Sequence, residues 1–170
     1  NPVVIDDMVL FCAAYYQVGA VMLKIKPDNK GFDEVWKSTA LETHWMTPVY
    51  HEGNLYAFSG RNEPDAHFRC VEFKTGKVLW DRDETWPPHS TLTPPVYGRG
   101  SLLKADGRLI ALGEGGKLGM FKLNPQAAEE ICTSQIANLH YPCWAAPILS
   151  EKKLYIRSED HLVCLNLAKP

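Results

Sequence analysis

Residues 67–80, HFRCVEFKTGKVLW, carry the pattern from which the fold of this chain can be inferred. Cys70 and Val71 are adjacent and both apolar, so a strand at this place presents apolar groups on both of its faces. The KTGK segment then supplies a tight turn, and VLW continues into a second short strand. Since no helical pattern flanks these strands, a sheet built from them has to be sandwiched between other sheets.

The same pattern recurs along the chain, which indicates an internal repeat. AVMLKI ends at Ile25, LGMFKL at Leu123 and LVCLNL at Leu167, and each aligns with FRCVEF, which ends at Phe73. This alignment brings four sulfur-containing residues to one repeat position: Met22, Cys70, Met120 and Cys164. Sulfur side chains at one position of an apolar strand are typical of core packing, not of a redox or copper site.

A short strand follows each of the first three runs. Its matching residues are Trp36 in the first repeat, Trp80 in the second and Cys132 in the third. We expect both tryptophans to pack in the core, because they close their repeats at equivalent positions.

Each repeat begins with a similar pair of strands. PVVIDDMVLFC from Pro2, PVYHEGNLYAF from Pro48 and PILSEKKLYIR from Pro147 share one pattern, and GSLLKADGRLIALG is a more divergent copy. The matching apolar residues recur at intervals of 46, 54 and 45 residues: Val9, Leu55, Leu109 and Leu154. The longest interval contains an additional proline-rich connector, WPPHSTLTPP.

These repeats predict an all-β fold, a β-propeller of four-stranded antiparallel blades, because stacked four-stranded units of this length are typical of propellers. A two-layer β-sandwich is the alternative, but it would leave one face of each strand polar. We predict a single propeller segment over residues 1–170, divided into four blades at about 1–41, 42–85, 95–137 and 143–170.

The fourth blade is expected to be incomplete, because the sequence stops after its third strand. Propellers commonly have four to eight blades, and uncovered sheet edges promote aggregation. We therefore expect this chain to be part of a seven- or eight-bladed ring, completed by missing N-terminal blades. Ring closure by a second copy of the chain is the less favoured alternative.

Composition excludes several classes of protein. The chain has 170 residues, of which 45% are hydrophobic and 22% charged, so it can bury a core. A net charge of −2 gives no basic surface for nucleic acid. No apolar run approaches the roughly 20 residues of a transmembrane helix. The five cysteines lack disulfide or zinc-site spacing, and no signal peptide is visible.

The TGKVLW turn, the GNLYAF strand pair and the terminal HLVCLNL resemble the pyrroloquinoline-quinone-type (PQQ-like) propeller repeat, whose units end in a threonine–glycine turn and a tryptophan. This resemblance covers nearly the whole chain. GRGSLLKADGRLIALGEGGKLGMFKLNP and CWAAPILSEKKLYIRSEDHLVCLNL are similar to the C-terminal blades of bacterial PQQ-binding-like repeat proteins. The resemblance implies an exported bacterial protein, periplasmic or otherwise extracytoplasmic.

Two functions follow from this resemblance, because the repeat serves enzymes and scaffolds alike. One branch comprises quinoprotein dehydrogenases that hold PQQ and calcium. The other comprises non-catalytic propellers, among them the lipoprotein that helps assemble outer-membrane barrels. This sequence lacks the adjacent cysteine pair of the dehydrogenases and any match to their catalytic aspartate. We therefore expect a non-catalytic binding or scaffolding module without a cofactor. A PQQ-dependent alcohol or sugar dehydrogenase is the alternative.

The candidate binding residues lie in segments that emerge from one face of a propeller. These segments are the connectors between blades and the loops between the second and third strands, which converge on the central funnel. Aromatic and arginine residues in such loops commonly anchor a ligand. We predict that a protein, glycan or small molecule binds at this funnel face through His44, Trp45, Arg61, Glu63, Arg99 and Trp144.

Other polar residues of these loops are interpreted as structural. His44, His89 and His140 are numerous enough for an open zinc site, but their connectors differ in length and no carboxylate completes a pattern, so we predict no metal. Glu114 is interpreted as a solvated turn residue. Cys143, in a connector, is expected to be a partly exposed thiol.

Overall fold

The computed structural model describes residues 1–61, 65–87 and 96–168. Within these ranges every regular element is a β-strand, and the strands form four antiparallel sheets. The first sheet contains β1 (Val3–Ile5), β2 (Met8–Ala13), β3 (Gly19–Ile25) and β4 (Phe32–Ser38). The second contains β5 (Val49–His51), β6 (Asn54–Ser59), β7 (His67–Glu72) and β8 (Val78–Asp83). The third contains β9 (Ser101–Ala105), β10 (Arg108–Leu112), β11 (Lys117–Lys122) and β12 (Glu130–Gln135). The fourth contains β13 (Ile148–Ser150), β14 (Lys153–Arg157) and β15 (Leu162–Asn166).

In every sheet each strand pairs with the one that follows it in the chain. The prediction of an all-β chain with three complete four-stranded units and a fourth of three strands is confirmed. None of the described residues forms a helix long and apolar enough to cross a membrane.

The sheets bury their faces against one another. One core cluster joins the first three sheets, with Leu10, Leu55 and Phe121 almost fully buried. A second cluster joins the third and fourth sheets, where Ile110 packs with Leu154. Because successive sheets pack face to face, both faces of the middle sheets are dry, which is the arrangement of propeller blades.

The third strand of each complete sheet has a register shift at the same repeat position. The shift follows Met22 in β3, Cys70 in β7 and Met120 in β11. In each case the residue before the shift pairs with the matching residue of the fourth strand: Trp36, Trp80 and Cys132. A β-bulge bends its strand, so its repetition gives the sheets the same local shape.

The two tryptophans link the first sheet to the second and the second to the third. Trp36 Nε1 donates a hydrogen bond to the Phe73 carbonyl oxygen at 2.9 Å, and Trp80 Nε1 donates to that of Asn124 at 2.9 Å. Both acceptors follow the third strand of the neighbouring sheet. The indoles pack against the core and also satisfy a carbonyl group.

The outer faces of the first and last sheets are uncovered. Val4 and Phe11 are exposed on the first sheet, and Ile148 and Leu162 are exposed on the last. In the last sheet Cys164 is exposed, so the third strand there is not buried on both sides as its repeat position predicted. The reason is that no further described sheet packs on that face.

The contact between Trp36 and Gly76 provides a test of the link between sheets. Gly76 has φ +72°, and a Cβ atom there would lie 2.7 Å from the Trp36 ring, whereas Gly53 has φ +82° and nothing within 4 Å. Alanine at either site costs about 1–2 kcal/mol for its left-handed backbone, but only Gly76→Ala also pushes against an indole. We expect Gly76→Ala to unfold at a clearly lower urea concentration than Gly53→Ala. Equal unfolding midpoints would contradict the role given to this contact.

Candidate functional site

The loops between second and third strands and the connectors between sheets meet on one face, which we call the upper face. Contacts between distant segments demonstrate this. Tyr15, from the loop after β2, contacts His44 in the first connector, and Trp45 contacts Trp144 in the third connector. Tyr141 of the third connector contacts Trp86 of the second. These ring contacts bring the loop after β2 and the three connectors together.

Six rings on the upper face contact one another in series, and we call this series the aromatic line. Its members in spatial order are Tyr15, His44, Trp45, Trp144, Tyr141 and Trp86. Successive ring centroids are 5.0, 4.7, 5.3, 5.8 and 5.5 Å apart. These separations are those of favourable aromatic pairs. Four segments of the chain contribute to the line, so the site exists only in the folded protein.

Arg99 supports the aromatic line from below. Its guanidinium carbon lies 4.9 Å from the centroid of the Trp45 ring, within the range of a cation–π interaction. Its Nη1 donates to the Arg61 carbonyl oxygen at 3.0 Å. Arg99 is only 7% exposed, so the structure places it underneath the surface and not at its edge.

Glu114 holds Arg99 in this position. Its Oε2 lies 3.0 Å from Nη2 of Arg99, and its Oε1 accepts the Arg99 backbone N–H at 2.9 Å. Glu114 is 0% exposed, so its interpretation as a solvated turn residue was wrong. A buried carboxylate needs such a partner, because removing an ionised group from water without one is very costly.

The backbone of Glu114 also fastens two connectors. Its N–H donates to the Tyr97 carbonyl oxygen at 3.0 Å, and its own carbonyl accepts the Cys143 N–H at 2.9 Å. A Cβ atom on Gly98 would lie 2.5 Å from Glu114 Oε1, so glycine is required where the second connector passes the carboxylate. One short loop therefore fixes the segments that carry Arg99 and Trp144.

A second buried carboxylate anchors the start of the same connector. Glu84 Oε2 accepts the Tyr97 N–H at 2.8 Å, and Arg82 Nε lies 2.8 Å from Oε1. Burial raises the pKa of Glu84. Arg82 also lies 2.9 Å from Glu130 Oε2, and Tyr97 Oη donates to Glu130 Oε1 at 2.7 Å. This network joins the second and third sheets below the site.

The exposed parts of the site are aromatic and basic. Trp144 is 43% exposed and Tyr15 is 47% exposed. The exposed Arg61 places its guanidinium 5.7 Å from the Tyr15 ring centroid. The upper face therefore offers stacking surfaces beside the accessible positive charge of Arg61.

Two polar atoms of the aromatic line are buried without a hydrogen-bond partner: His44 Nδ1 and Trp45 Nε1. Leaving a buried polar group unsatisfied costs about 1–3 kcal/mol. Binding or a local rearrangement that supplied partners for these two atoms would therefore be favourable.

Burial lowers the pKa of His44, and the positive charge of Arg99 adds to the effect. The neutral imidazole is thus the prevailing form at neutral pH. Tyr15 Oη and His44 Nε2 are joined by a hydrogen bond of 2.6 Å.

Some predicted residues lie elsewhere. His140 Nε2 is 3.4 Å from Asp160 Oδ2, not beside His44, and His89 and Glu63 fall outside the described residues. Among the residues that the structure does describe, no group of three or more His, Cys, Asp or Glu side chains is placed to hold a metal ion.

Cys143 is fully buried, so the expectation of a partly exposed thiol was wrong. Its Sγ donates to the His140 carbonyl oxygen at 3.2 Å, and burial raises its pKa to about 11. The thiol is therefore protonated and unreactive at neutral pH.

A polar groove of about 500 Å³ lies between the first and second sheets near the upper face. His67 Nδ1 is 2.8 Å from Asp81 Oδ1, and Arg69 Nε donates to Asp81 Oδ2 at 3.0 Å. Arg69 Nη1 also donates to the Ala40 carbonyl oxygen at 2.9 Å. These bonds tie the second sheet to the first connector.

The ion pair beneath Trp45 yields a stability prediction. Glu114→Gln keeps an oxygen for the Arg99 backbone N–H but removes the negative charge that balances the buried guanidinium, so we expect a loss of about 3–5 kcal/mol. The matched control is Glu129→Gln, which alters a pair 2.7 Å from Lys122 on the surface and should change little. Urea unfolding followed by circular dichroism measures both. Similar midpoints for the two variants would contradict the structural role of Glu114.

The environment of His44 yields a pH prediction. We expect its ring to titrate below pH 6.5, the ordinary histidine value, in an NMR titration of the folded chain. The folded state then binds fewer protons than the unfolded state just below pH 6.5. The contribution to stability is therefore fully present above pH 6.5 and is lost as pH falls toward the lowered pKa. The variant His44→Gln should lack this dependence. A midpoint at or above pH 6.5 would contradict the burial of this ring.

Comparison with known proteins shows the fold. No protein-family model and no curated protein matches the chain. The crystal structure of BamB from Moraxella catarrhalis is similar over 96% of this chain and 41% of that chain, with a TM-score of 0.55 and 14% identity. A europium-containing methanol dehydrogenase is similar over 78% of this chain and 24% of that chain, with a TM-score of 0.50 and 16% identity.

The computationally designed Ika8 protein is similar over 97% of this chain and 57% of that chain, with a TM-score of 0.50 and 10% identity. The chain thus spans between a quarter and three fifths of the length of these structures. At such low identities the likeness concerns the fold alone. Together with the four stacked sheets, it shows that this chain has the fold of a partial β-propeller.

Proposed function

We propose that this chain is a non-catalytic binding or scaffolding module of an exported bacterial protein, and that the upper face is its binding surface. The observation that carries this proposal is the aromatic line, in which Trp144 stands 43% exposed among rings contributed by several loops. An indole held in the open by rigid neighbours is available to a partner.

The chemistry of the surface is that of a protein-binding site. Tryptophan, tyrosine and arginine are the residues that most often dominate the energy of protein interfaces. Here Trp144 and Tyr15 supply stacking area, and Arg61 supplies a charge beside them. The rings come from four segments and contact one another in series, which suits a ligand that reaches several of them, such as a peptide segment of a partner. A glycan chain is the second ligand that stacking on such rings would support.

The site is also preorganised for binding. Trp45 is held over Arg99, which is fixed by Glu114 from the neighbouring sheet. Side chains that are already ordered lose little entropy when a ligand binds, so more of the contact energy contributes to affinity.

The alternative, a fragment of a PQQ-dependent alcohol or sugar dehydrogenase, requires a site for PQQ and calcium. Calcium takes six to eight oxygen ligands, several of them carboxylates. The described residues provide no group of three or more His, Cys, Asp or Glu side chains that could hold a metal ion. The described residues therefore give no support to this alternative.

The uncovered outer faces support a further part of the proposal, that this chain belongs to a larger ring. Val4 and Phe11 at one end, and Ile148 and Leu162 at the other, expose apolar area that adjoining blades would bury. Further blades of the same propeller are the favoured neighbours. A second copy of the chain is the alternative.

The binding proposal predicts that Trp144 dominates affinity. Peptides selected from a displayed library on the wild-type chain should bind Trp144→Ala about thirtyfold or more weakly, which corresponds to a hot-spot loss of about 2 kcal/mol. The control is Phe32→Ala, which truncates an exposed aromatic residue on β4, outside the aromatic line. Surface plasmon resonance measures the affinities, and a glycan array tests the second class of ligand.

Two results would overturn this proposal. One is that selected peptides and arrayed glycans bind Trp144→Ala as tightly as the wild type. The other is that the full-length protein, supplied with PQQ, calcium and an alcohol, reduces a dye with turnover, which would show the dehydrogenase function instead.

A further inference from the structure

An apolar groove lies where the third sheet departs from the repeat. In the first two sheets the fourth strand carries a tryptophan whose indole reaches the next sheet and donates to a carbonyl group there. The third sheet has Cys132 at this position, paired with Met120 as Trp36 is paired with Met22. The small side chain of Cys132 leaves the space of an indole unfilled.

The structure shows this space as a groove of about 350 Å³ between the third and fourth sheets. Its walls are almost entirely apolar and come from both sheets, and they include Ile110, Leu118, Met120, Cys132, Leu154 and Leu167. Whereas Met22 and Cys70 are fully buried at the equivalent repeat position, Met120 is partly exposed here. The missing indole therefore uncovers apolar surface that the other sheets keep dry.

We propose that this groove binds a small planar aromatic molecule that carries an N–H donor, of which indole is the model. The repeat of the protein itself indicates this ligand. At the two equivalent positions an indole side chain fills the space and points its N–H toward a carbonyl group of the next sheet. Leu167 aligns with Phe73 and Leu123, so the carbonyl of Leu167 or Ala168 stands at the repeat position of the acceptor.

The dimensions and polarity of the groove favour a small molecule. Its volume lies at the lower end of the range of about 300–1,000 Å³ that is usual for ligand pockets. Among the described residues that line the groove, the polar side chains are the Cys132 thiol and the hydroxyl groups of Thr133 and Ser134. An apolar slot with a few polar groups is the ordinary composition of such a pocket. The groove shares no residue with the aromatic line, so this inference does not depend on the proposed function.

The two exposed thiols of the chain provide the test. All five cysteines are free, and only Cys132 and Cys164 are exposed. Cys132 lines the groove, whereas Cys164 lies on the opposite face of β15 from Val163 and Leu165, which pack toward the third sheet. We would alkylate both thiols with iodoacetamide at rising indole concentration and measure each rate by peptide mass mapping. The rate at Cys132 reports occupancy of the groove, and the rate at Cys164 is the internal control.

At an indole concentration ten times its Kd we expect the alkylation of Cys132 to slow about tenfold, while that of Cys164 stays unchanged. Equal slowing of both thiols, or slowing of neither up to the solubility of indole, would overturn the proposal.

Substitutions give a second, independent measurement. Cys132→Trp should fill the groove, raise the thermal unfolding temperature and abolish binding of 5-fluoroindole followed by ¹⁹F NMR. Cys132→Ala leaves the groove open and should bind the probe as the wild type does, which keeps the test valid if Cys132→Trp folds poorly. Binding of the probe to Cys132→Trp with the affinity of Cys132→Ala would overturn the assignment.

Discussion

Burial of both faces of a sheet requires a neighbour on each side, and most features of this chain follow from that constraint. Phe68 and Cys70 in β7 face one way and Val71 faces the other, yet all three are fully buried. The hydrophobic effect acts on both faces at once, so the sheets stack in a row. The indoles of Trp36 and Trp80 then fix the register between neighbours, because each satisfies a carbonyl of the following sheet.

The stacking of the sheets in a row also determines which loops come together to form a surface that could bind a ligand. Every sheet is a simple meander, so the loop after its second strand and the connector to the next sheet emerge on one face. Side chains far apart in sequence, such as Tyr15 and Trp144, thereby join one aromatic line. The buried pair of Arg99 and Glu114 holds this surface together. Removing this ion pair from water is costly. In return, the fixed position of Arg99 holds Trp45 in place above it.

Regular repetition makes each departure from the pattern informative. A cysteine in place of the third tryptophan would mean little in an irregular protein. Here two equivalent indoles define what the position normally holds, so the groove beside Cys132 can be interpreted as a space of known shape. The upper face and this groove are separate surfaces, since one is made by loops and the other by the sides of strands.

The strands, their order and the repeat could be predicted from local patterns in the chain. Those features depend on short-range patterns, namely apolar residues on both sides of a strand and glycine turns such as KTGK, that each segment carries alone. The same patterns predict that His44, Trp45, Arg61, Arg99 and Trp144 lie in segments that share a face, because that follows from the meander.

Which of the loop residues are buried depends on contacts between sheets. Glu114 sits in a glycine-rich turn that looks solvated, and Cys143 sits in a connector, yet both are fully buried because segments from other sheets cover them. The burial of Arg99 has the same origin, since its partners Glu114 and Arg61 come from two different loops. Solvation of a turn residue depends on what lies above it, and no local pattern in the chain records that neighbour.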